Sequence, residues 1–483
     1  MARQSTKIIN NSFFVLSARI FETLAGILVV GMLARYLGLS DFGEYALVMA
    51  VVWIAQPVIS MEIPRILVVE LSRNMSRATG LIGTGIAWNI MIFIILALAL
   101  SLVAVYHGDL PYSYFTGLFI ALFLTLTQTV GTGFVAHEKM QYDTYTSLIA
   151  IFSLILFTGG AIFFDLGLQW VFVAAAVAYF CGFIASVAFN RKVTGFIPLP
   201  HLHYKTVRHL LSESLALSVV QILEQLLIYC GVFFLKYMSG NVEVALFQAP
   251  MRIFTKFMLI PLSLMLAFMP LFARLATAHE KKDELVKATQ KVFKIFMILG
   301  MMITLIAYST ATEIITVIFG NAFEDSIVGF KIVVLGTIFF FINIFYVMLC
   351  MVRKKLKGYA IIKIAGFAVC FFLNMVLVPE HGYVGSVWAL VLSSCVIFFA
   401  GYAFLRDLFR MESLRGMLFI ILTGFGIIAA LNYASSINFV VSLAAGLFCF
   451  SLVMIVSKTV TWTELSPLLN HIRRVPNIRI KQR

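Results

Sequence analysis

The stretch "LFQAPMRIFTKFMLIPLSLMLAFMP" runs from Leu246 to Pro270. It is almost wholly apolar, and longer than the ~20 residues an α-helix needs to cross the hydrocarbon core of a bilayer. Yet Arg252 and Lys256 stand one helical turn apart inside it. The apolar run reads as a membrane-spanning helix. The two cations on one stripe of it need a reason.

The rest of the chain is built in the same way. Of 483 residues, 61% are hydrophobic and 12% charged, and the mean hydropathy is +1.00. Soluble domains are about half apolar and about a quarter charged. No stretch is long and polar enough for a sizeable soluble domain. The class is an all-α, polytopic membrane protein, with about fourteen apolar spans. They begin near Ser12, Gly43, Gly80, Tyr112, Thr144, Trp170, His209, Glu243, Val292, Ile327, Tyr359, Tyr383, Gly416 and Ile437. The first starts close to the N-terminus without a short apolar core and A-x-A site, and reads as an uncleaved helix.

Charge placement sets the orientation. The connections on the N-terminal side carry Arg65, Arg73, Arg77, Arg191, Lys192, Arg353, Lys354, Lys355 and the basic C-terminal tail. The opposite connections carry only Arg35 and Lys236, and about 29 of the 36 Lys and Arg fall on the first side. By the positive-inside rule both termini are cytoplasmic. The net charge of +14 is thereby a topology signal, and nucleic-acid binding is not expected. "ARLATAHEKKDELVKATQKVFK", from Ala273 to Lys294, reads as an inner-surface amphipathic helix facing anionic lipid.

A faint internal repeat relates the two halves. "RIFET" (Arg19–Thr23) resembles "QILEQ" (Gln221–Gln225), and "GEYAL" (Gly43–Leu47) resembles "VEVAL" (Val242–Leu246). Spans one and two thus match seven and eight in the same orientation, a parallel repeat of the kind that places a site between two bundles. Prolines fall in the paired elements: Pro57 and Pro64 in span two, Pro250, Pro261 and Pro270 in span eight. Proline removes a backbone hydrogen bond and bends a helix. Pro57, Pro250 and Pro261 are the expected hinges.

A cation at mid-bilayer costs roughly 3 kcal/mol unless it faces water or a partner. Arg252 and Lys256, at i and i+4, repel each other. The candidate partners are Glu22, which can pair with Arg19, and Glu224 in the polar stripe of span seven with Gln221 and Gln225. Arg19, Arg252 and Lys256 against Glu22 and Glu224 leave one cation in surplus. Either these charges bind the bundles together, or they line a cavity suited to an anion such as a phosphate or diphosphate. Glu224 reads as a salt-bridge partner or as a proton-coupling carboxylate. Lys331 reads as a snorkelling cation or as an outer-gate partner of Glu313, and Lys363 and Glu62 are expected to snorkel from inner ends. No metal-ligand cluster, cofactor loop or ATPase loop occurs, so no metal or cofactor is expected. The short outer connections leave no room for a catalytic domain, and transport leads over catalysis.

Three stretches carry a resemblance. "ARYLGLSDFGEYAL" (Ala34–Leu47), "IFGNAFEDSIVGFKIVVLGTIF" (Ile318–Phe339) and "VPEHGYVGSVWALVLSS" (Val378–Ser394) are similar, in order and spacing, to turns of the Wzx-type polysaccharide flippases, exporters of O-antigen and other lipid-linked oligosaccharides. Ser386-Val387-Trp388 departs from that pattern, where small residues are usual. The resemblance implies two six-helix bundles, residues 1–200 and 201–408. Two further helices over 409–458 and a cytoplasmic tail over 459–483 would follow. It implies alternating access in the bacterial cytoplasmic (inner) membrane. The load would be an undecaprenyl-diphosphate-linked oligosaccharide moved from the inner to the outer leaflet for cell-surface polysaccharide such as O-antigen or exopolysaccharide. Arg252 and Lys256 would hold the diphosphate or acidic sugars, while Gln221, Gln225, Gln56 and Trp53 would meet sugar. Membrane lipids, a polysaccharide polymerase and chain-length machinery are the implied partners of a monomer. Proton, sodium and membrane potential stay open as the driving force. The alternative is a cation-coupled multidrug or metabolite antiporter of the same superfamily.

Overall fold

The computed structural model describes residues 2–74, 77–107, 111–277, 282–409, 411–433, 446–451 and 453, without the side chains of residues 2–20, 411–415 and 431–433. The expected span near Ile437 and the basic tail lie outside the described residues.

The first half holds α1 (Ala2–Ser60), α2 (Ile63–Arg73), α3 (Ala78–His107), α4 (Tyr112–Ala136), α5 (Gln141–Phe163), α6 (Leu168–Thr194), α7 (Tyr204–Met238) and α8 (Asn241–Phe257). Then come α9 (Leu259–Thr277), α10 (Lys282–Ser309), α11 (Ala311–Phe319), α12 (Ser326–Leu335), α13 (Thr337–Val352), α14 (Leu356–Phe404) and α15 (Met411–Tyr433). No strand occurs among the described residues. Nine stretches there are long and apolar enough to cross a membrane, or ten if α12 and α13 count as one span.

Two helices are too long for one crossing. At 1.5 Å per residue the 59 residues of α1 would reach about 90 Å, roughly three times the hydrocarbon thickness. Gly38 turns α1 with φ 68°, ψ −175°, and Gly382 turns α14 with φ 53°, ψ −135°. Both conformations favour glycine. Each helix is therefore two spans. The thin separator Asp165-Leu166-Gly167 also suffices, with Asp165 (φ 49°) and Gly167 (φ 81°) reversing the chain between α5 and α6.

Proline sets two further breaks. Pro64 has no N–H for the carbonyl of Ser60, and α1 stops at Ser60. Pro261 has none for the carbonyl of Phe257, and α8 stops at Phe257. The helix runs unbroken through Pro57 and Pro250. The two breaks lie 197 residues apart, close to the spacing of "GEYAL" and "VEVAL".

The described chain forms two compact units. The first comprises Met1–Lys256, Ile314–Val333 and Lys354–Ile397. The second comprises Phe257–Glu313, Val334–Arg353 and Phe398–Arg483.

In the first unit the three turn motifs gather at one end. Phe42 is fully buried, 5.4 Å from the Phe323 ring and 6.2 Å from that of Phe319. Arg35 donates to the carbonyl of Val317 at 2.6 Å. Glu243, in the first turn of α8, accepts from the backbone N–H of Tyr383 at 2.6 Å, just past the Gly382 turn. A Cβ on Gly382 would collide with the Glu243 carboxylate.

The second unit is held by Phe345 between Phe272 and Phe296 (5.9 and 5.3 Å). Arg353 closes it with a two-pronged bond to Asp407 (3.0 and 2.6 Å).

The stretch expected as an amphipathic surface helix is described in two parts, with residues 278–281 outside the described residues. Its ends belong to long helices: α9 continues to Thr277, with Arg274 in its last turn, and α10 starts at Lys282, with Asp283 and Glu284 in its first turn.

Candidate functional site

The site is built on α8. Gln248, Arg252 and Lys256 are spaced four apart and share one face. Gln248 is fully buried, and neither atom of its amide has a hydrogen-bond partner among the described residues. The Nε and Nη2 of Arg252 are also buried without one. Tyr45 of α1, Tyr179 of α6 and Tyr229 of α7 lie within electrostatic reach of the Arg252 guanidinium. Lys256 faces α1. A methyl group on Gly26 would come 4.0 Å from its Nζ, and Glu22, one turn earlier on α1, is within electrostatic reach. Arg19 lies in α1, with its side chain outside what the structure describes.

Leaving two guanidinium N–H groups buried and unmatched costs about 1–3 kcal/mol each.

Glu224 has a different partner from the one expected. It forms an ion pair with Lys363 of α14. The Lys363 side chain is only 2% exposed and that of Glu224 25%. Lys363 therefore does not snorkel; it is buried and neutralised across α7 and α14. This changes the charge balance. With Glu224 occupied by Lys363, Glu22 is the one expected carboxylate left to face Arg252 and Lys256.

Glu62 does not snorkel either. At the left-handed break between α1 and α2 it pairs with Arg65 at 2.8 Å and lines a cavity of about 410 Å³. Gln56 and Gln221 line the same cavity, and Gln56 donates to the side-chain carbonyl of Gln128 at 3.0 Å. Gln225 is half-buried one turn beyond Gln221 on α7. Trp53 is half-buried, its indole N–H without a partner among the described residues. Glu313 in α11 and Lys331 in α12 belong to different compact units.

Sequence reading missed Gln248, Lys363 as a partner, and the three tyrosines. Gln248 carried a signal, its i−4 spacing from Arg252. The tyrosines carried none, because they come from three separate helices.

The fold is similar to that of known transporters. A lipid II flippase MurJ structure in an inward closed conformation aligns with a TM-score of 0.69 at 13% identity, over 91% of this chain and 97% of that one. A Vibrio cholerae MATE transporter aligns at 0.58 and 14% identity, over 82% and 96%. An inward-facing multidrug-resistance MATE transporter of the MOP superfamily aligns at 0.58 and 12%, over 80% and 94%. Among curated proteins nothing matches the chain. The model of the family described as polysaccharide biosynthesis protein matches residues 8–276, more than half of the sequence. The chain belongs to the polysaccharide biosynthesis protein family of polytopic membrane proteins.

Proposed function

We propose that this protein is a flippase. It carries undecaprenyl-diphosphate-linked oligosaccharide from the inner to the outer leaflet of the bacterial cytoplasmic membrane, by alternating access of two six-helix bundles (residues 1–200 and 201–408). The observation that supports this best is the buried stripe Gln248–Arg252–Lys256, with its guanidinium donors unmatched. A diphosphate offers paired oxygens to a guanidinium fork and a point charge to the ammonium. The apolar residues around the stripe suit the lipid's polyprenyl chain. Arg19 and Glu22 tune the charge on α1, and Pro57, Pro250 and Pro261 with the adjoining breaks absorb the motion. The transporter works as a monomer beside a polymerase and chain-length machinery, driven by a proton, sodium or membrane-potential gradient.

Deleting the gene in its host tests the reading. The expected result is lipid-linked sugar trapped in the inner leaflet with loss of surface polymer. Normal polymer together with changed drug sensitivity would transfer the function to a cation-coupled antiporter. The ion-paired carboxylate of Glu224 would then be the first candidate for coupling.

A further inference from the structure

The cavity of about 410 Å³ is separate in its lining from the cationic stripe. Its walls come from α1, α2, α4, α5 and α7 of the first compact unit. Its volume falls in the roughly 300–1,000 Å³ range of small-molecule sites. Its chemistry differs from that of an anion site. Three carboxamides (Gln56, Gln128 and Gln221), two carboxylates (Glu62 and Asp143) and one guanidinium (Arg65) line it, beside the hydroxyls of Ser60 and Thr132. The one cation is paired with Glu62 at 2.8 Å, and the formal charge of the lining is negative. A phosphate would be repelled here.

Amides, carboxylates and a guanidinium share a property: each presents two coplanar polar atoms side by side. A pair of neighbouring hydroxyls on a sugar ring matches that spacing, donating to a carboxylate or carbonyl and accepting from an N–H. A second observation is independent of the lining. Met61 (φ 45°) and Glu62 (φ 51°) are consecutive non-glycine residues in the left-handed region. Such strain costs of order 1–3 kcal/mol per residue and gathers at ligand sites. Here it turns Glu62 and Arg65 to the cavity wall, beside Ser60, whose carbonyl has lost its i+4 donor to Pro64.

We infer that this cavity is a sugar subsite. It holds hydroxyl-bearing rings of the lipid-linked oligosaccharide through Gln128, Gln221, Asp143 and the Glu62–Arg65 pair, apart from the diphosphate on Arg252 and Lys256. The inference rests on the flippase reading. It assigns sugar recognition to the first unit's polar cavity, and leaves Trp53 and Gln225 outside that subsite.

The test uses the full-length protein in nanodiscs and two probes: lipid-linked oligosaccharide purified from the gene-deleted host, and sugar-free undecaprenyl diphosphate. Native mass spectrometry reads both affinities. Gln128→Ala is expected to weaken the oligosaccharide lipid about tenfold, the loss of one to two hydrogen bonds, and to leave the sugar-free lipid unchanged. Gln221→Ala, on α7, should behave alike and serves where the first variant does not fold. Arg252→Ala should weaken both probes. Equal losses on both probes for the two glutamine variants, or no loss on either, would overturn the subsite. Wild-type protein that binds neither probe would overturn the flippase reading itself.

Discussion

Removing one member of the Glu224–Lys363 pair should destabilise the protein by an amount that depends on which member is removed. Breaking a buried ion pair costs about 3–5 kcal/mol, most of it from the charge left behind. In Glu224→Gln the charge left behind is Lys363, whose side chain is 2% exposed. It has almost no water to fall back on, so the full ~3–5 kcal/mol applies. In Lys363→Met the survivor is Glu224, 25% exposed. It recovers part of its hydration, and roughly 2 kcal/mol is expected. The double variant Glu224→Gln/Lys363→Met leaves no unpaired charge and should lie within about 1 kcal/mol of wild type. Denaturant unfolding of the detergent-solubilised protein measures all four corners of the cycle, and the coupling should exceed about 2 kcal/mol. Additive losses, or a Lys363 variant less stable than the Glu224 variant, would refute the reasoning. A well-folded double variant should also retain export, since the pair stands apart from the cations assigned to substrate.

Arg252→Met should abolish export and raise stability by about 2–6 kcal/mol, because it removes two buried donor groups that have no partner; unfolding and surface-polymer measurements on one preparation check both signs. Lys256→Ala should abolish export while the protein remains inserted, seen as normal abundance in the membrane fraction without surface polymer. Gly38→Ala should cost about 1–3 kcal/mol from backbone strain alone, since φ 68°, ψ −175° is a conformation essentially reserved for glycine and a Cβ there meets nothing within 4 Å. Gly382→Ala should cost more by the same unfolding assay, because its Cβ meets the Glu243 carboxylate as well as the strain.

Most of the fold was legible because lipid leaves few choices. Apolar runs of spanning length must be helices, and even Asp165-Leu166-Gly167 could be read as a break between two of them. Gly38 and Gly382 fall inside the turns quoted for the family resemblance. The proline signal was legible only in part. Four prolines stood out in spans two and eight ahead of Pro270, and all share the clash with the carbonyl four residues earlier, yet the helix breaks at Pro64 and Pro261 and runs on through Pro57 and Pro250.

The site was legible where one helix carries it. Arg252 and Lys256 share α8, and their spacing alone puts them on one face. Glu224 was placed in one stripe with Gln221, and the two do lie only about 60° apart around the helix; even so, Gln221 lines the cavity while Glu224 pairs with Lys363. That partner is 139 residues away in sequence, and no periodicity announces it. The polar cavity was hidden for the same reason. Gln56 and Gln221 were recognisable as polar residues within spans, but Gln128 and Asp143 meet them only through the packing of α4 and α5.

Reconstituted flipping tests the central claim most directly. Vesicles loaded with the purified lipid-linked oligosaccharide in one leaflet would receive wild-type protein or Arg252→Ala, and appearance of sugar on the far leaflet would be read by enzymatic labelling. Transfer with wild-type protein and none with the variant at equal insertion is the predicted result. Equal transfer by both, or movement of soluble drugs in place of the lipid, would contradict it.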